Sequence, residues 1–459
     1  MRIVTSGGQG EMKKTMLRIS KFEKRLLACN NEADGVTLGM FTFNSFNITL
    51  NNKKDLPSTS SNFSSTFIHE YIHYLQSVST YYFIKFHQSR FCNFLCEVNT
   101  MRDELKDSGS ISVPIMPEKV NLPLSNRQYN DFESYIRGDT TPFECFDRCD
   151  VELSSAGKEL ELGCPPIEGL TVEIPMVYLK PHNGKKKRIQ LGAMAIAESM
   201  ANIAETILFN CKNMYYPYSA AYHLAKTLCP DVLANPIVLF ACCDVSLMFP
   251  NPGFQLYELL LWISKKKNVK AMDYHIVYDN SLKWMVEKST GDKESYLDFY
   301  KNSCNDITKI VSGFIDAINP GASKLLNNLF QKGCMLREQK PSFITDAVAN
   351  DSMNELIQQF NIPMVMYDKQ MFTNYTNDDA FTLFALSSVY EIIHGISKEC
   401  KWLDFCKKAN SEAVEDEKFD HDFSYCSKYP WKNVVYTHCP FADVWNPLFG
   451  SANVKNNKE

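Results

Sequence analysis

The chain has 459 residues, enough for roughly two or three domains or for one large domain with a helical appendage. Hydrophobic residues make up 45% and aromatic residues 12%, a composition that excludes wholesale disorder and supplies a packed core. The formal net charge of -5 gives no general attraction to nucleic acid or to anionic lipid, so we expect neither as a partner.

The cysteines and the apolar stretches bear on the cellular compartment. The chain has 16 cysteines but no pair of Cys-x-x-Cys knuckles, so we do not expect a structural zinc site built from cysteines. Many reduced, buried thiols are typical of a cytosolic protein. The first residues lack the apolar core of a signal peptide, and the apolar stretch 237–249 is too short for a membrane span. The sequence therefore predicts a soluble, cytoplasmic protein.

The first predicted elements lead up to one helix. Residues 1–24 are polar and contain no predicted element. Residues 36–50 contain two runs of alternating apolar and polar side chains, which indicates a β-hairpin. The serines within 58–65 are candidate N-caps for a helix that begins near Phe67 and is expected to continue toward Cys96.

The predicted secondary structure changes twice in the middle of the chain, from loops to strands and then to helices. Residues 108–141 contain few periodic apolar residues and several prolines, so we expect a loop-rich insertion or lid there. Residues 170–179 and 188–192 have strand patterns with a turn signal between them, which predicts a second hairpin. Residues 193–209 then form a strongly helical pattern, and helical patterns dominate from residue 219 onward.

Together these elements predict an α+β protein that is dominated by helices. It should have a small antiparallel sheet near the helix at Phe67 and a large helical C-terminal part. We divide the chain into a polar segment 1–24, a core 25–230 with an insertion around 100–165, a helical region 231–450 and a solvated tail 451–459.

The helix near Phe67 carries a metal-binding motif, because residues 69–73 read His-Glu-x-x-His. Residues four apart share one face of a helix, so His69 and His73 can both bind one metal ion. Glu70 lies beside that face and can hold the metal-bound water without being a ligand. The chain has only 9 histidines, so a chance match on a half-buried helix is the weaker interpretation. The motif favours a zinc hydrolase.

A catalytic zinc site needs a third protein ligand and an open position. The residues after His73 lack the glycine turn and third histidine of metzincins. Glu198 lies in an alanine- and methionine-rich helix, where an unpaired carboxylate would be costly to bury and a metal would remove that cost. Glu205 lies seven residues later on the same face and is the alternative ligand. The non-metal interpretation of either glutamate is a salt bridge or an exposed helix position.

These two helices resemble the gluzincin group of zinc metallopeptidases, in which a second helix with a ligand glutamate faces the His-Glu-x-x-His helix. The resemblance implies a zincin-like core and one Zn²⁺ per chain. It implies that His69, His73 and Glu198 are the metal ligands and that Glu70 is the general base. The chain departs from the family pattern in having Ser199 after the ligand glutamate instead of glycine, and in the long separation of the two helices.

The ligand types predict the chemistry. Glu70 would take a proton from a zinc-bound water as that water attacks a carbonyl, and pass it to the leaving nitrogen. Tyr218 is the first candidate to stabilise the oxyanion and His223 the second, although an aromatic-rich helix start also serves packing. We therefore expect a zinc metallopeptidase that hydrolyses a peptide bond in a protein or peptide substrate. The alternatives are an interaction protein whose metal site is structural, and hydrolysis of a non-peptide amide.

Overall fold

The computed structural model describes residues 39–42, 46–55, 63–141, 148–159, 171–182, 188–211, 213, 215–283, 285–287, 293–367, 370–372, 377–412, 423–433 and 439–456. The predicted polar segment 1–24 lies outside these residues, as does most of the predicted turn at 182–184. Within the described part of the chain, helices dominate and the sheets are small, so the predicted α+β class is confirmed.

The helices follow one another through most of the chain. In order they are α1 Ser65–Ser79, α2 Tyr81–Ser108, α3 Leu124–Ile136, α4 Ala193–Phe209, α5 Ala220–Leu228, α6 Pro236–Leu247, α7 Pro252–Ser264, α8 His275–Ser281, α9 Tyr296–Ile315, α10 Pro320–Gln339, α11 Phe343–Ala349, α12 Met353–Phe360, α13 Asn377–Ile393, α14 Leu403–Glu412, α15 Phe423–Cys426 and α16 Pro440–Phe449. No helix among the described residues is both long enough and apolar enough to cross a membrane.

The strands form several small sheets. In order they are β1 Gly39–Thr42, β2 Asn47–Leu50, β3 Ser110–Val113, β4 Cys149–Glu159, β5 Thr171–Pro181, β6 Ile189–Leu191, β7 Met285–Glu287, β8 Lys293–Ser295, β9 Met364–Tyr367, β10 Gln370–Phe372 and β11 Asn453–Asn456. The sheet orders are β1-β2-β9-β10, β4-β5-β6, β7-β8 and β3-β11. Both predicted hairpin pairings are antiparallel as expected, but they belong to different sheets, and β2 pairs with β9 in parallel.

Helix α1 lies at the centre of the fold. Its N-cap is Ser64, whose hydroxyl accepts a hydrogen bond from the backbone N–H of Phe67 at 3.1 Å, so the predicted cap region is confirmed. Nearly every residue of α1 is buried, because α4, α10 and strand β1 all pack around it. The face of this helix that carries His69, His73 and Gln76 therefore lies against protein rather than open solvent.

The prediction of one continuous helix toward Cys96 is wrong, because α1 ends at Ser79 and α2 begins at Tyr81. Thr80 between them is extended, with φ -116° and ψ 147°. Its backbone N–H and its hydroxyl both donate to the carbonyl of Gln76, at 3.1 and 2.8 Å. Side-chain bonds of serine and threonine to preceding carbonyls compete with the helix and favour such a break.

Helix α4 has the bounds that the sequence predicts, and its start is fixed by a close backbone approach. Gly192 precedes the helix, and a Cβ atom at this position would collide with the carbonyl group of Arg137. Only glycine lets the end of α3 approach so closely. The carbonyl of Arg137 in turn accepts a hydrogen bond from the N–H of Met194 at 3.2 Å. This contact sets the position of α4 in the fold.

Three other expectations need correction. The segment 108–141, which we expected to be rich in loops, contains helix α3. Part of the buried face of this helix is polar, because Glu133 is buried and paired with Arg137. A pattern of apolar residues therefore does not reveal the helix. Strand β4 lies in the predicted insertion and was not foreseen. Strand β11 lies in the predicted solvated tail 451–459 but pairs in parallel with β3. That partner is more than three hundred residues away, so local sequence could not indicate it.

The buried apolar side chains form one continuous cluster that contains residues from both sides of position 230. Phe41 of β1 contacts Tyr74 of α1 with 6.1 Å between the ring centroids. Arg337 of α10 donates to the carbonyl of Ser79, the last residue of α1, at 3.1 Å. The helical C-terminal part therefore packs directly on the segment that carries the metal-binding motif.

Candidate metal centre

Helices α1 and α4 bring the three predicted ligands to one point. His69 and His73 lie one turn apart on α1, and Glu198 projects from α4. The Nε2 atoms of the two histidines are 3.2 Å apart. The Oε2 atom of Glu198 is 3.3 Å from each of these nitrogens. Three potential donor atoms thus form a nearly equilateral triangle.

The size of this triangle suits zinc. In a tetrahedral site with Zn–N and Zn–O distances near 2.0–2.1 Å, neighbouring ligand atoms are about 3.3–3.4 Å apart. Among the described residues, His69, His73 and Glu198 are the one group of three or more whose donor atoms could hold a metal ion. Three protein donors leave one tetrahedral position open. The side chain of Glu198 is 26% exposed, whereas His69 and His73 are buried.

The other nitrogen of each imidazole has a fixed acceptor. Nδ1 of His69 lies 2.8 Å from Oε2 of Glu205, and Nδ1 of His73 lies 2.9 Å from Oε1 of Gln76. An ionised carboxylate and an amide oxygen can only accept, so both Nδ1 atoms must carry the proton. In the neutral form in which histidine binds metal ions, the two Nε2 lone pairs would face each other and Glu198, and a cation between these atoms would stabilise the arrangement. Such outer hydrogen bonds are typical of histidine metal ligands.

Glu198 and Glu205 therefore occupy different places. Glu198 faces the two Nε2 atoms, whereas Glu205 lies on the opposite nitrogen of His69. This arrangement favours Glu198 as the third donor and gives Glu205 the task of orienting His69. The seven-residue spacing put both glutamates on one face of α4, and only the position of α1 distinguishes them.

Gln76 had no assigned role in the sequence analysis, although it lies three residues after His73 on the same polar stripe. Its side-chain amide donates to the carbonyl of Ala197 at 3.1 Å and approaches Sδ of Met200 at 3.2 Å. The same side chain accepts from His73, and it is completely buried. Gln76 thus couples the orientation of His73 to the position of α4.

Glu70 lies beside the centre but outside the group of donors. It is 7% exposed, and its carboxylate accepts a hydrogen bond from the backbone N–H of Phe41 in β1. Burial raises the pKa of Glu70, while the neighbouring His69 and His73 lower it, and the net pKa lies above the usual value. This is the placement that the sequence predicts for a residue next to the ligand face.

The ionisable groups around the centre perturb one another's pKa values. Burial by itself lowers the pKa of His69, but hydrogen bonds to Glu198 and Glu205 raise it well above its usual value. Burial disfavours the ionised form of Glu198 as well, yet the charge of His73 and the hydrogen bond from His69 hold its pKa well below the usual range. With Glu70 and Glu205, three carboxyl groups surround the two imidazoles, and carboxylates and imidazoles are the groups that bind and orient zinc.

The two candidates for oxyanion stabilisation lie in different surroundings. The ring of Tyr218 lies against His69, with 5.7 Å between the ring centroids. His223 is buried on α5, where its ring contacts that of Tyr222 and its carbonyl accepts hydrogen bonds from Thr227 and Cys149. The structure therefore places Tyr218 against His69, and the catalytic roles of Tyr218 and His223 both stay predictions.

The chain matches no protein-family model, no curated protein and no solved structure. The resemblance to gluzincins therefore rests on the motifs of two helices, now found packed against each other with their donor atoms converging. The zincin-like core stays a prediction.

Proposed function

We propose that this protein is a zinc-dependent peptidase that hydrolyses a peptide bond in a protein or peptide substrate. The observation that carries the proposal is the triangle of donor atoms from His69, His73 and Glu198, with the carboxylate of Glu70 beside it. A purely structural metal site needs no such carboxylate outside its ligands.

His69, His73 and Glu198 would hold the ion, a set of two imidazoles and one carboxylate that is found in catalytic zinc sites. Zinc, when bound, would lower the pKa of a bound water molecule and polarise the carbonyl group of a substrate. Glu205 and Gln76 keep both imidazoles in the tautomer that presents Nε2. The ligands are therefore oriented before any substrate arrives.

Glu70 would act as the general base. Its carboxylate would accept a proton from the attacking water and donate it to the leaving nitrogen. The hydrogen bond from the N–H of Phe41 fixes the carboxylate in place. Tyr218, beside His69, would donate a hydrogen bond to the oxygen on which charge develops.

The test combines metal analysis with an assay of peptide hydrolysis. Protein purified without added metal should contain one zinc per chain, and His69→Ala should lose it. Glu70→Gln should keep the zinc and the thermal stability but lose about 10²–10⁴-fold in hydrolysis rate, the usual loss on removing a general base. His275→Ala is the matched control, because this histidine is half-exposed on α8.

Two results would overturn the proposal. The first is wild-type protein without stoichiometric zinc. The second is a Glu70→Gln form that retains zinc and hydrolyses peptides at the wild-type rate. If the metal were only structural, His69→Ala would lower stability, while Glu70→Gln would change nothing in a hydrolysis or binding assay.

A further inference from the structure

Two cysteines face each other between helices α9 and α10. The two helices pack side by side, and a short connection joins the end of α9 at Ile315 to the start of α10 at Pro320. Neighbouring helices with a short connection are antiparallel. Cys304 lies on α9 and Cys334 on α10, and neither belongs to the candidate metal centre.

Contacts of the same two helices show which of their residues lie at the same height. The hydroxyl of Tyr300 and the guanidinium of Arg337 both donate to one atom, the carbonyl oxygen of Ser79, at 3.0 and 3.1 Å. Lys301 and Glu338 form an ion pair at 2.8 Å. Residues 300 and 301 of α9 therefore lie level with residues 337 and 338 of α10.

The two cysteines lie one helical turn away from this level, in the same direction. Cys304 follows Tyr300 by four residues and Cys334 precedes Arg337 by three, and residues three or four apart share one face of a helix. Because the helices are antiparallel, one turn forward along α9 and one turn back along α10 lead to the same height. The thiol of Cys304 donates a hydrogen bond to Sγ of Cys334, as this geometry requires.

The two thiols differ in acidity. The hydrogen bond from Cys304 lowers the pKa of Cys334 in opposition to burial, and the positive charge of Lys301 lowers it further. Burial, together with the hydrogen bond that it donates, raises the pKa of Cys304 well above its usual value. Burial also raises the pKa of Cys242, and it raises that of Cys400 to about 12. The thiolate is the nucleophilic form of cysteine, so Cys334 is the more reactive thiol of the pair.

The surroundings of the pair restrict what can react with it. Cys304 and Cys334 are 2% and 6% exposed, so a bulky reagent or a second protein has little access to their sulfur atoms. Lys301 and Glu338, whose charges act on Cys334, are 47% and 48% exposed, so the pair lies just below the surface. Hydrogen peroxide is little larger than water and carries the two oxidising equivalents that a disulfide bond needs.

We propose that Cys304 and Cys334 are a redox-active thiol pair that hydrogen peroxide converts to a disulfide bond. First, the Cys334 thiolate attacks one oxygen of the peroxide, the O–O bond breaks, and a sulfenic acid and hydroxide form. The hydroxide takes up the proton that the Cys334 thiol released. Then Cys304 attacks the sulfenic sulfur, the S–S bond forms, and the sulfenic oxygen leaves as water with the proton of Cys304. The two sulfur atoms lose two electrons, and the peroxide becomes two molecules of water.

The disulfide bond would join the two helices that hold the end of α1. Tyr300 and Arg337, which both contact Ser79, lie one turn from the two cysteines. The bond would close a loop of about 30 residues, and such a cross-link stabilises a fold chiefly by restricting the unfolded chain. A thiol reductant would reverse it. The inference is independent of the proposed peptidase function.

The experiment treats the whole protein with hydrogen peroxide and maps its cysteines by peptide mass spectrometry without reduction. Wild-type protein should give the peptides of Cys304 and Cys334 joined, lighter by two hydrogen atoms than the two separate peptides together. Dithiothreitol should separate them. The oxidised protein should unfold at a higher temperature than the reduced protein. Cys211 is exposed, so its oxidation is the internal check that the peroxide dose was sufficient.

Variants separate the roles of the two thiols. Cys304→Ser should accumulate sulfenic acid at Cys334, about 10-fold or more above wild type by dimedone labelling, because no second thiol consumes it. Cys334→Ser should leave Cys304 unoxidised. Cys400→Ser removes another buried cysteine and should leave the disulfide bond unchanged, so it is the matched control. The proposal is refuted if wild-type Cys304 and Cys334 both stay thiols while Cys211 is oxidised, or if Cys334 is oxidised without joining Cys304.

Discussion

Replacing Arg337 with methionine should lower the free energy of unfolding by about 3–5 kcal/mol, because it breaks a completely buried ion pair. The guanidinium donates two hydrogen bonds to the carboxylate of Asp244, at 2.7 and 2.6 Å. It also donates to the carbonyl of Ser79 at 3.1 Å, where α1 ends. Arg337 therefore links the helix of the candidate metal centre to α6 and α10.

The expected loss in the free energy of unfolding depends on which hydrogen bonds Ser79 and Asp244 keep when Arg337 is replaced. The carbonyl of Ser79 keeps the hydroxyl of Tyr300 at 3.0 Å, so it does not lose its last donor. Asp244 keeps the hydroxyl of Tyr278 at 2.6 Å but loses its counter-charge in a site without solvent. The uncompensated carboxylate is the main cost, and removing one partner of a buried pair typically costs about 3–5 kcal/mol. A loss of that size is a large share of the roughly 5–15 kcal/mol that stabilise a folded protein.

The matched control is the next residue of the same helix. Glu338 pairs with Lys301 at 2.8 Å, but the two side chains are 48% and 47% exposed, so water screens the pair and Glu338→Gln should change the stability little. The double variant Asp244→Leu with Arg337→Met should recover much of the loss, because an apolar pair leaves no buried charge. Urea unfolding followed by tryptophan fluorescence measures all four proteins. If Arg337→Met shifted the midpoint no more than Glu338→Gln, the argument from burial would be refuted.

Two further predictions concern packing and the surroundings of the histidines. Gly333→Ala should destabilise the protein, because the added Cβ would collide with the carbonyl of Val78. Gly313 is also in a helix, but a Cβ there would meet open space, so Gly313→Ala should stabilise the protein by about 0.5–1 kcal/mol. Equal effects of the two in thermal unfolding would contradict this close approach of α10 to α1. Glu205→Gln should weaken zinc binding by about 10–100-fold in competition with a chelator, because Glu205 only orients His69. A complete loss of zinc would instead make Glu205 a ligand.

The sequence alone determined the two helices of the candidate centre and the residues that they present. A serine cap and a four-residue histidine spacing are local properties; the cap gave the start of α1 correctly, and the spacing put both histidines on one face. The bounds of α4 followed in the same way from its continuous helical pattern. Such features depend on residues within one or two helical turns, so they do not depend on which other elements pack against the helix.

Tertiary structure decided what local pattern could not encode. The spacing of Glu198 and Glu205 placed both on one face, and only the packing of α4 on α1 set one against Nε2 and the other against Nδ1. The carbonyl of Ser79 at the end of α1 accepts a hydrogen bond from Arg337, and the sheet beside α1 depends on the pairing of β2 with β9. These partners lie hundreds of residues away along the chain. Hydrogen bonds and ion pairs depend on distance in space, so periodicity along the sequence carries no record of them.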